Sequence, residues 1–215
     1  MLNLSNIDII NINCVEPEKS AEVLKLCTQQ IQFGRAILFT DSDIEPDGFE
    51  VIKVDKISLI EQYSDFCLQL NKFLSNDYVL IVQNDGFITN PEMWSNDFLN
   101  YDYIGAPWNQ TFIVGQRVGN GGFSLRSRKF LEFSSTFETT EGHPEDNFLC
   151  LNKYYEALDY GLKYAPLNVA TNFAYEYPHP LRGRFEPEKQ FGFHGKTNID
   201  EAEKYCILKN QEVQL

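Results

Sequence analysis

The chain has 215 residues, enough for one well-buried domain and short for two. A net charge of -13 argues against duplex nucleic acid and anionic lipid surfaces as partners, since both are bound by Lys and Arg set against phosphate. With 43% hydrophobic and 23% charged residues the composition is that of a globular protein.

Met1 to Asn13 has no basic leader region, and Asp8 interrupts its apolar run, so it reads as the approach to a first strand and not as a signal peptide. That strand spans 7–15. Pro17-Glu18-Lys19-Ser20 then opens a helix with Leu24, Cys27 and Ile31 on one face, ended by Gly34. Ala36 to Thr40 is a short apolar strand stopped by Asp41, and 49–54 is a third strand. Ile57, Ile60, Tyr63, Cys67, Leu70 and Leu74 step by three and four, which predicts a long helix. Tyr78 to Val82 is nearly all apolar and reads as a central strand. This order predicts an α/β fold, an open and mostly parallel sheet flanked by helices, with ligands beyond the carboxyl ends of the strands.

The second half is less regular. Residues 122–125 read as a strand leading into a helix near Arg128. Phe148, Leu151, Tyr155, Leu158 and Leu162 form a stripe at helical spacing, and 168–177 reads as a last strand. Residues 178–196 have no period and read as a loop. The five cysteines are odd in number and form no Cys-x-x-Cys pair, and Cys27 and Cys67 fall on apolar helix faces. Buried thiols in a reducing compartment are expected, and no apolar stretch approaches membrane-spanning length. The expectation is a soluble, cytoplasmic, single-domain protein over 1–215.

Several residues can carry chemistry. Thr40, Asp41, Asn84 and Asp85 occupy strand ends. Asp85 can reach a divalent cation bridging a diphosphate, with Mg2+ or Mn2+ suited to hard oxygen ligands, or it can simply complete an Asn-Asp-Gly turn. Glu145-Asp146 after Pro144 fits a helix start by dipole and capping alone, and it equally supplies a general base. Gly119-Asn120-Gly121-Gly122 is richer in glycine than a hairpin needs, so Gly121 and Gly122 can admit a ligand close to the backbone. His194, between Gly192 and Gly195, reads as a ligand or phosphate contact, and His143 as part of an acceptor site. Two basic islands, Arg117 with Arg126, Arg128 and Lys129, and Arg182 with Arg184, Lys189 and Lys196, are either diphosphate clamps or solvated surface. Gly195-Lys196-Thr197 is not a P-loop, because Gln190 stands where the first glycine is needed.

The segments 103–108, with Trp108, 118–127, 144–146 and 191–195 together resemble a bacterial and viral family known as a domain of unknown function and regarded as glycosyltransferase-like, with the GT-A fold. The resemblance covers nearly the whole chain from Asn6 to Gly195. More distantly the chain is similar to β-1,3- and β-1,4-galactosyltransferases, whose Gly-Gly strand and Glu-Asp motif match Gly121-Gly122 and Glu145-Asp146. The resemblance implies Asp146 as base, Asp85 as the last aspartate of an Asp-x-Asp metal motif, and His194 as a C-terminal metal ligand. Gln83 stands where the first aspartate would be.

Residues and resemblance together imply a metal-assisted, inverting transfer of a sugar from a nucleoside diphosphate, taken as UDP, to an acceptor hydroxyl. Residues 1–100 would form the nucleotide-binding half, with Thr40, Asp41, Gln83, Asn84, Gly121, Gly122, Arg126 and Lys196 at the donor. Residues 101–215 would form the acceptor half, with Trp108 and His143 at the acceptor and 178–196 as a lid. Two alternatives are a non-catalytic carbohydrate-binding protein of the same fold and a nucleotidyltransferase. The second would carry a glycine-rich loop after the first strand, where this chain has Cys14-Val15-Glu16-Pro17.

Overall fold

The computed structural model describes residues 1–45, 47–109, 115 and 117–212. The first unit is β1 (Leu2–Leu4), β2 (Ile7–Ile12), α1 (Pro17–Thr28), β3 (Ile31–Phe33), β4 (Ala36–Thr40), β5 (Glu50–Lys53), α2 (Ile60–Leu68) and β6 (Tyr78–Val82). The second is β7 (Tyr103–Gly105), β8 (Phe123–Ser127), α3 (Arg128–Ser134), α4 (Glu145–Asn147), α5 (Tyr154–Asp159), α6 (Leu167–Phe173), β9 (Ala174–Tyr175), β10 (Gly192–Phe193) and α7 (Ile199–Glu212). Six strands form the central sheet in the order β5-β4-β2-β6-β8-β7. The first four are parallel, and β8 runs antiparallel to both β6 and β7. The chain leaves β2 toward β4 on one side and returns to its other side as β6, so the strand order reverses at β2.

The central strands bury both faces, β4 and β6 with nearly continuous apolar runs and β2 with Asp8 and Asn11 buried among its isoleucines. Ile7, Ile9, Leu38, Leu80 and Val82 face α1 through Val23, Leu24 and Cys27. Ile10, Ile12, Ile37, Phe39, Val79 and Ile81 face α2 through Tyr63 and Cys67. A third cluster, with Tyr103, Phe130, Phe148 and Leu149, packs the helices of the second half. Among the described residues no helix is long and apolar enough to cross a membrane. All five cysteines are free, and Cys27 and Cys67 are buried as expected.

Four elements depart from the sequence reading. The helix α1 stops at Thr28, and Ile31 begins a short strand paired in parallel with β1. The helix expected from Ile57 to Leu74 is α2 alone, succeeded by a 3-10 turn over Leu70–Lys72. Residues 168–177 are mostly the helix α6, with only Ala174–Tyr175 extended. The stripe through Tyr155 and Leu158 is broken by a π-helical turn over Phe148–Asn152. A π turn takes extra residues and rotates the helix beyond it. Ala157 and Leu162 therefore reach the core, while Tyr155 and Leu158 are 63% and 41% exposed.

Candidate active site

The reversal of strand order at β2 opens a crevice between the carboxyl ends of β2 and β6, the usual ligand position in an open α/β sheet. A cavity of about 590 Å³ fills it, lined by the residues after β2 (Asn13 to Glu16), Lys19 of α1, Ile57 to Ile60, Tyr63, Gln83 to Asp85, and Lys196. The volume lies within the ordinary range for small-ligand pockets. Thr40 and Asp41 do not line it. Thr40 is buried and accepts the Ser42 N–H at 3.2 Å, and Asp41 accepts from the Ser42 hydroxyl. Asn13, Glu16 and Lys19 stand where those two residues were expected. The rule that placed Thr40 and Asn84 at strand ends applied equally to the end of β2.

Gln83 and Gly86 close a tight turn through paired backbone hydrogen bonds of 3.0 and 3.1 Å. Asn84 is consumed inside it: its Oδ1 accepts from Ser20 at 2.7 Å and its Nδ2 donates to the Glu16 carbonyl, tying β6 to the start of α1. The Gln83 amide is oriented by Tyr63, since its Nε2 donates to the Tyr63 hydroxyl at 2.8 Å. Its Oε1 thereby faces His194 Nε2 at 3.2 Å. Asp85 Oδ1 lies 3.5 Å from the same nitrogen, and the Asp85 carbonyl accepts the Gly195 N–H at 2.7 Å. Three ligand-type atoms thus converge from two distant segments.

Burial disfavours charge on both Asp85 and His194, but their mutual hydrogen bond outweighs it. The Asp85 carboxyl is held below the usual carboxylate range, with help from Lys196. His194, also bonded to Glu176, is pushed up to about 9. Among the described residues no group of three or more His, Cys, Asp or Glu side chains is arranged to hold a metal ion. A cation between Asp85 and His194 would take the Gln83 oxygen as its third protein ligand. Ligands at right angles around a small divalent cation stand roughly 3 Å apart, so the observed 3.2 and 3.5 Å spacings fit one. A set of one carboxylate, one amide oxygen and one imidazole suits Mn2+ better than Mg2+.

The glycine turn abuts this cluster. A methyl group at Gly122 would overlap His194 Nε2, and one at Gly121 would overlap the Glu145 carboxylate. The space beside these glycines is thus filled by the protein's own side chains and not left for ligand. Gly121 N–H donates to Asp146 Oδ2 at 3.1 Å, and Asn147 N–H donates to Asp146 Oδ1 at 2.7 Å. Asp146 is half-buried, and its pKa is raised to about 7, first by loss of water and then by the charge of Glu145.

Glu145 and Arg126 have a different role from the one expected. Their side chains are 5% and 1% exposed and meet at 2.7 Å. Arg126 also donates to Ser124 at 3.1 Å and lies over the Tyr103 ring. A diphosphate has no access to Arg126, and Glu145 is an ion-pair partner, leaving Asp146 as the available carboxylate. Trp108 is 9% exposed and packs on Gly119 within the third cluster, so it is a core residue. His143 is exposed ahead of α4 and does not line the cleft.

Most of the basic side chains are engaged by hydrogen bonds or ion pairs within the fold. Arg128 donates to Asn71 and to the Asn76 carbonyl, and Lys129 to the Gly161 carbonyl. Glu186 gathers Arg182, Arg184 and Lys189. Of the cations named from the sequence, Lys196 is the one at the cleft. The far end of the expected lid is fastened: Phe185, Pro187, Gln190, Phe191 and Phe193 are buried, and β10 pairs with β9.

A family profile described as "Protein of unknown function (DUF5672)" matches residues 48–194, more than half of the chain. The chain belongs to the DUF5672 family. The matched stretch of this DUF5672 chain holds Gln83, Asp85, Glu145, Asp146 and His194, while the β2 end of the cleft lies before it. No curated protein matches the sequence.

Among solved structures, the galactosyltransferase LgtC in complex with donor and acceptor sugar analogs is similar at 12% identity, over 95% of each chain, with a TM-score of 0.52. A glycosyltransferase involved in glycosylation of the major capsid of PBCV-1 is similar at 13% identity, over 93% of this chain and 98% of that one, with a TM-score of 0.50. The mannosyltransferase PcManGT from Pyrobaculum calidifontis, in complex with GDP-Man and Mn2+, is similar at 12% identity over 76% of this chain and 55% of that one, with a TM-score of 0.51. At such identities the likeness is one of fold. This DUF5672 chain has the GT-A fold.

Proposed function

We propose that the protein is a glycosyltransferase that moves a sugar from a nucleoside diphosphate, taken as UDP, to an acceptor hydroxyl. The observation that carries this reading is the convergence of Gln83 Oε1, Asp85 Oδ1 and His194 Nε2 at the end of a nucleotide-sized cleft that also holds Lys196. The fold neighbours named above support it, one of them in complex with a nucleotide sugar and Mn2+. Gln83, Asp85 and His194 would hold a divalent cation, which when bound supplies positive charge to the departing diphosphate. Lys196, with Lys19 across the cleft, would add to that field and orient the phosphates. Residues 11–85 line most of the cleft, which supports a nucleotide-binding first half.

Asp146 would remove the acceptor's proton. Because Glu145 is bound to Arg126, one free carboxylate faces the glycine turn, and this supports a single displacement with inversion. Free, mostly buried cysteines support a reducing, cytoplasmic setting. The weak neutral ligand Gln83 favours a second reading, a nucleotide-sugar-binding protein without turnover. Sugar release from UDP-sugars by the native protein separates the two. The missing glycine-rich loop after β2 disfavours nucleotidyl transfer.

The metal is tested by titrating UDP calorimetrically with and without Mn2+. Binding is expected to tighten with Mn2+ by about tenfold or more, and Asp85→Ala should remove the enhancement without unfolding the protein. UDP affinity in the native protein that ignores Mn2+ would make Asp85 a turn residue.

A further inference from the structure

The presentation of His194 to a cation carries a further assignment, which rests on the metal-dependent reading above. His194 Nδ1 faces two groups with opposite demands: Asn120 Nδ2 at 2.9 Å and Glu176 Oε1 at 3.1 Å. The Asn120 amide is not free to turn. Its Oδ1 accepts the backbone N–H of Gly122 at 3.1 Å and of Phe123 at 3.3 Å, so its NH2 end is the one that meets the imidazole. Ionised Glu176 only accepts. A bare Nδ1 satisfies Asn120 and repels Glu176, whereas a protonated Nδ1 satisfies Glu176. A neutral imidazole carries one proton, so the choice at Nδ1 decides the state of Nε2. Nε2 is the atom beside Gln83 Oε1 and Asp85 Oδ1, and it ligates only as a bare lone pair.

The fold holds Glu176 in this place from several directions. The parallel register of β9 and β10 sets Phe193 against Tyr175, and the next residues of the two strands are His194 and Glu176. The His194 N–H donates to the Tyr175 carbonyl at 2.8 Å. Asn198 Nδ2 bridges the carbonyls of Glu176 and His194 at 3.0 and 2.8 Å. Glu176 is 7% exposed, and its second oxygen is buried with no hydrogen-bond partner. Among the described residues its ion-pair partner is His194. Positive charge on that ring favours a carboxylate so placed.

We propose that Glu176 is a positioning residue, which accepts a hydrogen bond from His194 Nδ1–H and so holds the tautomer whose Nε2 is free to ligate the cation. Outer-shell carboxylates on ligating histidines act in this way in metal sites generally. Asn120 favours the opposite tautomer, so loss of Glu176 hands Nδ1 to Asn120 and moves the proton to Nε2.

The test compares Glu176→Leu, which removes the acceptor, with Glu176→Gln, which keeps a neutral one. Free Mn2+ is measured by electron paramagnetic resonance in the presence of UDP, with thermal unfolding alongside. Mn2+ affinity is expected to fall roughly ten- to hundredfold in Glu176→Leu and by less in Glu176→Gln, with UDP affinity in EDTA unchanged. Nitrogen-15 spectra of the protein loaded with Mg2+ should show His194 as Nδ1–H in the native chain and as Nε2–H in Glu176→Leu. Unchanged Mn2+ affinity in Glu176→Leu, where His194→Ala abolishes it, overturns the role of Glu176 alone. A native protein that binds no Mn2+ overturns the metal reading and this role with it. If Glu176→Leu does not fold, the native spectrum decides: an Nε2–H tautomer in the Mg2+-loaded protein overturns the assignment.

Discussion

Asp146→Asn is expected to lower sugar transfer roughly a hundredfold to ten-thousandfold, the usual range for loss of a general base, while UDP affinity stays unchanged. Asp146 touches the glycine turn through Gly121 and is not among the residues that line the cleft, so the proposed binding of the nucleotide should not depend on it. Its environment suits the task. Burial and the neighbouring Glu145 raise it from an ordinary 3.8 to about 7, where a base takes a proton readily and is still ionised in a useful fraction. The active ionised form grows as pH rises, so kcat/KM should climb through about pH 7 and then level off. The same shift works against stability. Folding favours the protonated carboxyl, so its contribution is present below 3.8 and is lost as pH rises through about 7. The variant escapes that loss, but an amide has one acceptor oxygen where Asp146 satisfies two N–H groups, those of Gly121 and Asn147. Unfolding must therefore be measured beside the rate. Transfer at the native rate by a folded Asp146→Asn would reduce the Glu-Asp pair to a helix start.

Legibility in the sequence tracks the range of the forces involved. The strands β4 and β6 are legible because each buries its own apolar run, β8 because it issues from a glycine-dense turn, and α1 is legible at its start from Pro17 and Glu18. The end of α1 is not, because Ile31 continues the helical stripe of Leu24 and Cys27 and only its pairing with Leu2 makes it a strand. The helix α6 hides for a related reason: Val169, Thr171 and Phe173 have strand propensity, and the packing of Ala170 and Phe173 against the first cluster overrides it. At the site, Asp85 and His194 were legible as isolated polar residues at glycine-rich turns. Glu176 was not, since it lies in a stretch that reads as strand and gains its meaning only from the register of β9 with β10. Arg126 was misread because local charge says nothing of a partner 19 residues away.

That partner gives the largest stability effect expected of a single change. Glu145→Gln should lower the unfolding free energy by about 3–5 kcal/mol, because it strands the Arg126 guanidinium in the core without its counter-charge. For a chain of this size the unfolding midpoint should drop by roughly 6–20 °C. The pair does more than cancel charge. Arg126 donates to Ser124, whose hydroxyl donates to the Gly121 carbonyl at 3.0 Å, and the Tyr103 hydroxyl holds the carbonyls of Gly119 and Asn120. Every carbonyl from Gly119 to Gly121 is thus fixed by a buried side chain, and the turn they fix carries the Gly121 N–H that orients Asp146 and the Asn120 amide that meets His194. The double change Arg126→Met with Glu145→Gln removes the stranded charge and should recover part of the stability, as replacement of buried ion pairs by apolar groups commonly does. It should not recover transfer activity, because the turn loses its Arg126 support. Denaturant unfolding at pH 7 measures both variants. A Glu145→Gln protein within about 1 kcal/mol of native would mean that water or backbone carbonyls already solvate Arg126, and that the ion pair is not what holds the turn.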